Sequence, residues 1–140
     1  MSYTIKIRID NDSGEEFELV EQTCWWGHNT IWKHTESGHT LSMAASGTSG
    51  MLRFRNEQGA YFVVAVGVHN YKRWCDVAAV DDNKPLTELH KKYYDDKDAE
   101  NKKLWAQQSG AVATLADGKV VELEFYQHEG HALLAKLRYA

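Results

Sequence analysis

Tyr61-Phe62-Val63-Val64-Ala65-Val66 is the most apolar strand-like stretch of the chain. Both of its alternating faces are apolar, so it reads as a central strand covered on both sides. It runs into Gly67-Val68-His69-Asn70-Tyr71-Lys72-Arg73-Trp74-Cys75-Asp76, a block that crowds a His, an Asn, an Arg, an Asp and two aromatics together. Core positions do not need that mixture, whereas a surface that grips a polar ligand does. Upstream, Ser46-Gly47-Thr48-Ser49-Gly50 supplies small hydroxyls and exposed backbone before Met51-Leu52-Arg53-Phe54.

Working outward, residues 3–9 place Tyr3, Ile5, Ile7 and Ile9 on one face and Thr4, Lys6 and Arg8 on the other, the signature of a half-buried strand. Asn11-Asp12-Ser13-Gly14 is a turn, after which Phe17 and Leu19 resume the period of two. Leu41 with Met43, Leu52 with Phe54, and Arg73 to Val80 read as further strands. The pattern changes at Asp82-Asn83-Lys84-Pro85. Asn83 is placed to cap a helix, Pro85 suits its first turn, and Leu86, Leu89 and Tyr93 share one stripe. A second helix is expected from about Asp96 to Trp105, with Asp98 one turn before Lys102. Alternation then returns. Val112 and Thr114 are expected to face Val121 and Leu123 across a two-residue Asp117-Gly118 turn, and Glu129-Gly130 turns the chain into Leu133, Ala135, Leu137 and Tyr139. Many strands, a helical pair and further strands imply a mainly β chain. A β-sandwich of two antiparallel sheets with a small helical insertion fits this order. Helices covering one end of a barrel would fit as well. No repeat or low-complexity tract divides residues 1–140, which read as one domain.

The bulk numbers exclude several classes of function. A net charge of −4 argues against general nucleic-acid binding, which wants a basic surface. No run of about 18 apolar residues exists to span a membrane. The chain opens without a basic start followed by an apolar block, so no secretory signal is read and a cytoplasmic, reducing location is expected. Cys24 and Cys75 are then expected to be buried thiols rather than a bridge. Seven histidines invite a metal. However, His128-Glu129-Gly130-His131 lacks the helical spacing of a zinc protease, and His28, His34 and His39 are strung along a loop without paired cysteines. No metal or other cofactor is expected. Cys75 and His69 do not read as a nucleophile–base pair, because nothing lowers the thiol pKa. Asp95, Asp96, Asp98 and Glu100 read as a solvated helix face rather than an acid–base pair. No enzymatic constellation stands out.

What remains fits a sugar. Ring hydroxyls both donate and accept. An Asn amide does the same through separate atoms, and so bridges two neighbouring hydroxyls. Asn70, Ser46, Gly47 and His69 supply that set, and an exposed member of the five tryptophans would offer a stacking face.

Residues 67–76, with Ser46-Gly47-Thr48-Ser49-Gly50 and Leu52-Arg53-Phe54, closely resemble the fungal fruit-body lectins. The likeness extends to Tyr3-Thr4-Ile5-Lys6-Ile7-Arg8, Trp25, Trp32, Tyr93-Tyr94, Glu129-Gly130 and Leu133, and so covers nearly the whole chain. It implies an actinoporin-like β-sandwich with a helix–loop–helix, a homotetramer, and binding of Galβ1-3GalNAc glycans at one site and terminal GlcNAc at another. It also implies a role in defence against animals that feed on the fungus. By the resemblance, Ser46, Gly47 and Asn70 contact the galactoside, with His69 beside them and His28 and Asn29 in a neighbouring loop shortened by about one residue. The second site maps to Asp76, Val77, Ala79, Lys97 and Trp105. Ala79 stands there in place of a family Thr, and the family Arg has no clear counterpart, so weaker GlcNAc binding is expected. The alternative reading is a membrane-active, actinoporin-like protein that binds lipid headgroups. It would need a detachable amphipathic N-terminal segment, which the period of two over residues 3–9 opposes.

Overall fold

A computed structural model describes residues 2–25, 29–81 and 83–140. Among these described residues, ten strands and two short helices follow in chain order: β1 Tyr3–Asn11, β2 Phe17–Trp25, β3 Ile31–Thr35, β4 Gly38–Met43, β5 Thr48–Asn56, β6 Tyr61–His69, β7 Lys72–Val80, α1 Leu86–Lys92, α2 Asn101–Ala106, β8 Gly110–Thr114, β9 Val120–Gln127 and β10 Ala132–Tyr139. The strands form two facing sheets, ordered β3-β4-β1-β10-β9-β8 and β2-β5-β6-β7. The mainly β architecture of two sheets with a helical pair between β7 and β8 is the expected one. One pairing departs from it: β1 and β10 run parallel.

β6 behaves as its composition dictates. Phe62, Val64, Val66 and Val68 enter the core between the sheets, with Ile5, Ile7, Leu41, Leu123 and Leu137. Val63 and Ala65 point the other way, into a second cluster where Leu86, Tyr93 and Leu104 of the helical region lie over Met51 and Trp74. Each face therefore has its own cover. Two glycines make room for indoles. A Cβ at Gly50 would lie 2.6 Å from the Trp32 ring, and one at Gly67 would lie 2.8 Å from Trp74 Nε1 and 2.4 Å from Ser49 Cβ.

Several local expectations shift for identifiable reasons. His34 and His39 do not lie in a loop: they are partners across the β3–β4 hairpin, with ring nitrogens 2.7 Å apart. The second helix starts at Asn101 rather than Asp96, because Asp95 and Asp98 accept the backbone N–H groups of Lys97 and Glu100 and so favour turns over helix. The anticipated Asp98–Lys102 pair gives way to Lys103–Glu100 at 3.2 Å. At α1 the N-cap is Pro85, not Asn83, and the free N–H of Leu86 donates to Glu21 Oε2 of β2 at 2.8 Å. The β8–β9 loop holds three residues, closed by Leu115 N–H to Lys119 C=O at 2.8 Å. That extra residue moves the register by one. Ala113 faces Val121 and Ala111 faces Leu123, while Val112 is 61% exposed.

Candidate functional site

The β6–β7 hairpin pairs His69 with Lys72, so only Asn70 and Tyr71 form the turn. Their φ angles, 50° and 64°, are both left-handed, as a two-residue turn that matches sheet twist requires. Asn tolerates that region and Tyr does so less readily. The neighbouring loop holds Tyr71 in place: its N–H donates to Ser46 Oγ at 2.9 Å. Gly47 N–H donates to Val68 C=O at 2.7 Å, and Thr48 Oγ1 donates to Ala45 C=O at 2.8 Å. Gly47 itself has φ 88°, with nothing within 4 Å of a Cβ there. Ser46, Gly47 and Asn70 thus come together, with Asn70 exposed and its amide unbonded to any described residue.

His69 lies half-buried under the turn. Its carbonyl accepts Gln107 Nε2–H at 2.6 Å, and its ring meets Trp105 edge-on, centroids 4.4 Å apart. Burial lowers its pKa, and Nδ1 is enclosed without a partner among the described residues. Trp105 remains 56% exposed beside it. Asn29 is exposed with φ 62°. It precedes β3, whose first residue Ile31 pairs with Ser42 near the end of β4, and follows β2, whose last residue Trp25 pairs with Ser49. These registers put Asn29 and Thr30 at the same end of the sandwich as Ser46 and Gly47. His28, with Trp26 and Gly27, lies outside the described residues, as does Asp82.

The residues of the anticipated second site are less convergent. Alternation along β7 turns Asp76 toward the helices and Val77 into the core between the sheets. Asp76 is 6% exposed. It accepts Tyr93 O–H at 2.5 Å and pairs with Lys103 Nζ at 3.3 Å. Burial pushes its carboxyl pKa up, against the opposing pull of Tyr93 and Lys103. Ala79 is exposed and lines a pocket of about 190 Å³ with Leu89, Lys92 and Glu100. Lys97 is exposed on the connection between the helices, and Trp105 joins His69.

A buried polar network backs the first loop. His90, 1% exposed, shares Nε2 with Ser49 Oγ at 2.7 Å and Nδ1 with Thr23 Oγ1 at 2.8 Å, and Ser49 Oγ meets Tyr94 O–H at 2.6 Å. Trp25 stacks on Tyr94 at 4.4 Å. A Ser–His contact invites a hydrolytic reading, but Ser49 is 0% exposed and no substrate reaches it. Cys75 is a free, buried thiol that donates to Gln108 C=O at 3.4 Å, and burial pushes its pKa up to about 12.

An exposed amide on a rigid turn beside a small-residue loop suits a ligand rich in hydroxyls, and residues 1–137 match the family model described as fungal fruit body lectin. The chain belongs to the fungal fruit body lectin family. Boletus edulis lectin is 46% identical over 80 residues, a match that spans 55% of this chain and 56% of that protein, about half of each. Two crystal structures of Xerocomus chrysenteron lectin superpose with a TM-score of 0.92. The wild type is 35% identical and a form carrying methionine substitutions is 36% identical, and both matches cover 100% of this chain and at least 99% of the other.

In this fruit body lectin the groups that sequence reasoning missed are those supplied by partners far along the chain. Lys103 and Tyr93 engage Asp76, and Gln107 braces the His69 carbonyl. Tyr93 was visible as part of a tyrosine pair, but nothing local marked its hydroxyl as the partner of Asp76.

Proposed function

We propose that this protein is a non-enzymatic, carbohydrate-binding lectin that takes the galactoside end of Galβ1-3GalNAc-type glycans at Asn70 and the Ser46–Gly47 loop. The observation that carries this reading is the exposed Asn70 amide on a turn tied to Ser46 through the Tyr71 N–H. A fixed amide presents one donor group and one acceptor at a set spacing, so it discriminates between epimers of a ring hydroxyl. Asn29 flanks the site from the neighbouring loop and His69 supports it from below, and His28, which the resemblance puts beside Asn29, belongs to the proposal as a further contact. Single-site sugar affinity is modest, so a homotetramer would supply avidity through several copies. A GlcNAc site around Asp76, Ala79, Lys97 and Trp105 would be weaker. Asp76 is already engaged by Tyr93 and Lys103, and Ala79 offers no hydroxyl. A defensive role and a cytoplasmic location complete the proposal. The membrane-active alternative needs a segment that can detach, whereas β1 is hydrogen-bonded on both edges, to β4 and β10.

Calorimetric titration with Galβ1-3GalNAc and with GlcNAc tests this reading. The disaccharide is expected to bind more tightly than GlcNAc. Asn70→Gly, which accepts the backbone angle but lacks the amide, is expected to weaken the disaccharide by at least about tenfold at unchanged melting temperature. Unchanged affinity in that variant, or GlcNAc binding of equal strength, overturns it.

A further inference from the structure

Arg73 differs from the other arginines of the chain. Arg53 pairs with Glu21 at 2.6 Å, Arg55 pairs with Glu18, Arg138 approaches Asp12 at 3.9 Å, and Arg8 is exposed to solvent. Arg73 is partly buried at the end of the sandwich, its guanidinium carbon 6.0 Å from the centre of the Phe125 ring. Nη1 donates to the neutral Gln107 carbonyl at 2.7 Å, and Nε is enclosed with no partner among the described residues. No carboxylate among the described residues pairs with it. A guanidinium partly removed from water and held by one neutral carbonyl is an under-satisfied cation.

It borders a cleft of about 370 Å³ between the β6–β7 hairpin and the β9–β10 turn. Tyr71 and Lys72 form one wall with Arg73, and His128 and Glu129 face them. Glu129 is the one carboxylate on that lining, against two permanent cations, in a chain whose net charge is −4. Tyr71 links this cleft to the candidate galactoside site. Its N–H is bonded to Ser46, while its side chain, 80% exposed, lines the cleft.

We propose that this cleft is a subsite for the carboxylate of an acidic sugar joined to the galactoside held at Asn70. Arg73 is the anchor: once Nη1 leaves the Gln107 carbonyl, Nη1 and Nη2 form the planar fork that meets a carboxylate through two parallel N–H···O bonds. Lys72 adds charge and Tyr71 an aromatic face for the ring that carries the acid. The inference rests on the galactoside reading for the placement of the neutral part of the glycan, but not for the anion site itself.

Three probes separate the two: Galβ1-3GalNAc, the same disaccharide sialylated on its galactose, and free N-acetylneuraminic acid. Each is titrated at low salt and at roughly 0.15 M ionic strength. The sialylated form is expected to bind about tenfold tighter than the neutral one, with the gain shrinking as salt rises. Arg73→Gln should erase the gain and leave the neutral disaccharide within about twofold of wild type. Glu129→Gln should enlarge the gain by removing the opposing charge, and this variant decides the matter if Arg73→Gln fails to fold. A sialylated ligand no tighter than the neutral one, a gain that survives Arg73→Gln, or a gain indifferent to Glu129→Gln overturns the subsite. Binding of free N-acetylneuraminic acid without binding of the neutral disaccharide would sink the galactoside reading and leave the anion site standing. Failure of both the sialylated disaccharide and free N-acetylneuraminic acid to bind would sink the anion site.

Discussion

Asn70 and Tyr71 both sit in the left-handed region, at φ 50° and 64°, and the two pull in different directions. Asn can be there at little cost, while Tyr is held there by Ser46. Asn70 therefore meets a backbone demand while carrying the exposed amide of the proposed site, and any test of the amide must leave the backbone at ease. Asn70→Ala is expected to be less stable than Asn70→Gly by about 1 kcal/mol, measured by urea unfolding, because Ala has a Cβ and no local hydrogen bond to offset it. Equal stabilities would mean the turn relaxes out of its left-handed form. Residues 67–76 stand out by their composition, but which of them turn the chain, pack or face solvent is not legible there. Gly67 read as part of a ligand block, yet a Cβ there would lie 2.6 Å from the Thr48 carbonyl, so its role is close packing of β5 on β6. Arg73 read as one polar group among several, and only the lack of a carboxylate partner among the described residues marks it out.

At the scale of elements, β2 shows how one irregularity reassigns a strand. The pairing with β5 shifts between Leu19 and Glu21. Before that bulge Phe17 and Leu19 pack against the core. After it, Cys24 packs against the core and the exposed Gln22 reaches His34 of the facing sheet, while Glu21 and Thr23 turn out to the helices. The bulge thus delivers the acceptor for the first turn of α1, the partner of Arg53 and the partner of His90. Arg53 is 4% exposed and relies on Glu21 Oε1 at 2.6 Å, with a further bond to the Lys84 carbonyl. Glu21→Ala is expected to cost about 2–3 kcal/mol in urea unfolding, since it strands a buried guanidinium and uncaps a helix. Faster amide exchange confined to α1 should accompany it. A loss under about 0.5 kcal/mol, the size of an ordinary exposed ion pair, would show that the link is ornamental. The presence of most strands was legible from alternation, and β6 from its two apolar faces. The bulge, the three-residue β8–β9 loop and the truncation of α2 were not, because each is settled by hydrogen bonds whose partners the local pattern does not name.

At the scale of the whole molecule, the helical pair is fastened to the outer face of the β2-β5-β6-β7 sheet partly through neutral polar groups around His90. Burial lowers the His90 pKa from 6.5 to about 4. The unfolded chain takes up that proton near 6.5, whereas the folded one takes it up only near 4. In between, the unfolded state binds more protons, so stability falls as pH drops through this window and levels off below it. The loss is of order 3 kcal/mol for His90, and His39, also lowered to about 4 by burial and by His34, acts with the same sign. Urea unfolding between pH 7 and 4 should show that fall in the wild type and a flatter profile in His90→Gln, while identical profiles would remove His90 from the account. Read alone, the sequence was enough to establish the class of fold, the central strand, the family and the polar block at residues 67–76. Exposure alternates with strand geometry, and that information is local. Tertiary structure decided the parallel β1–β10 pairing, the inward set of β8, the cap from Glu21, the closure of Asp76 by Tyr93 and Lys103, and the cleft that faces Arg73 with Glu129. Each depends on which distant residues meet and in what register, and a shift of one residue there exchanges every inward side chain for an outward one.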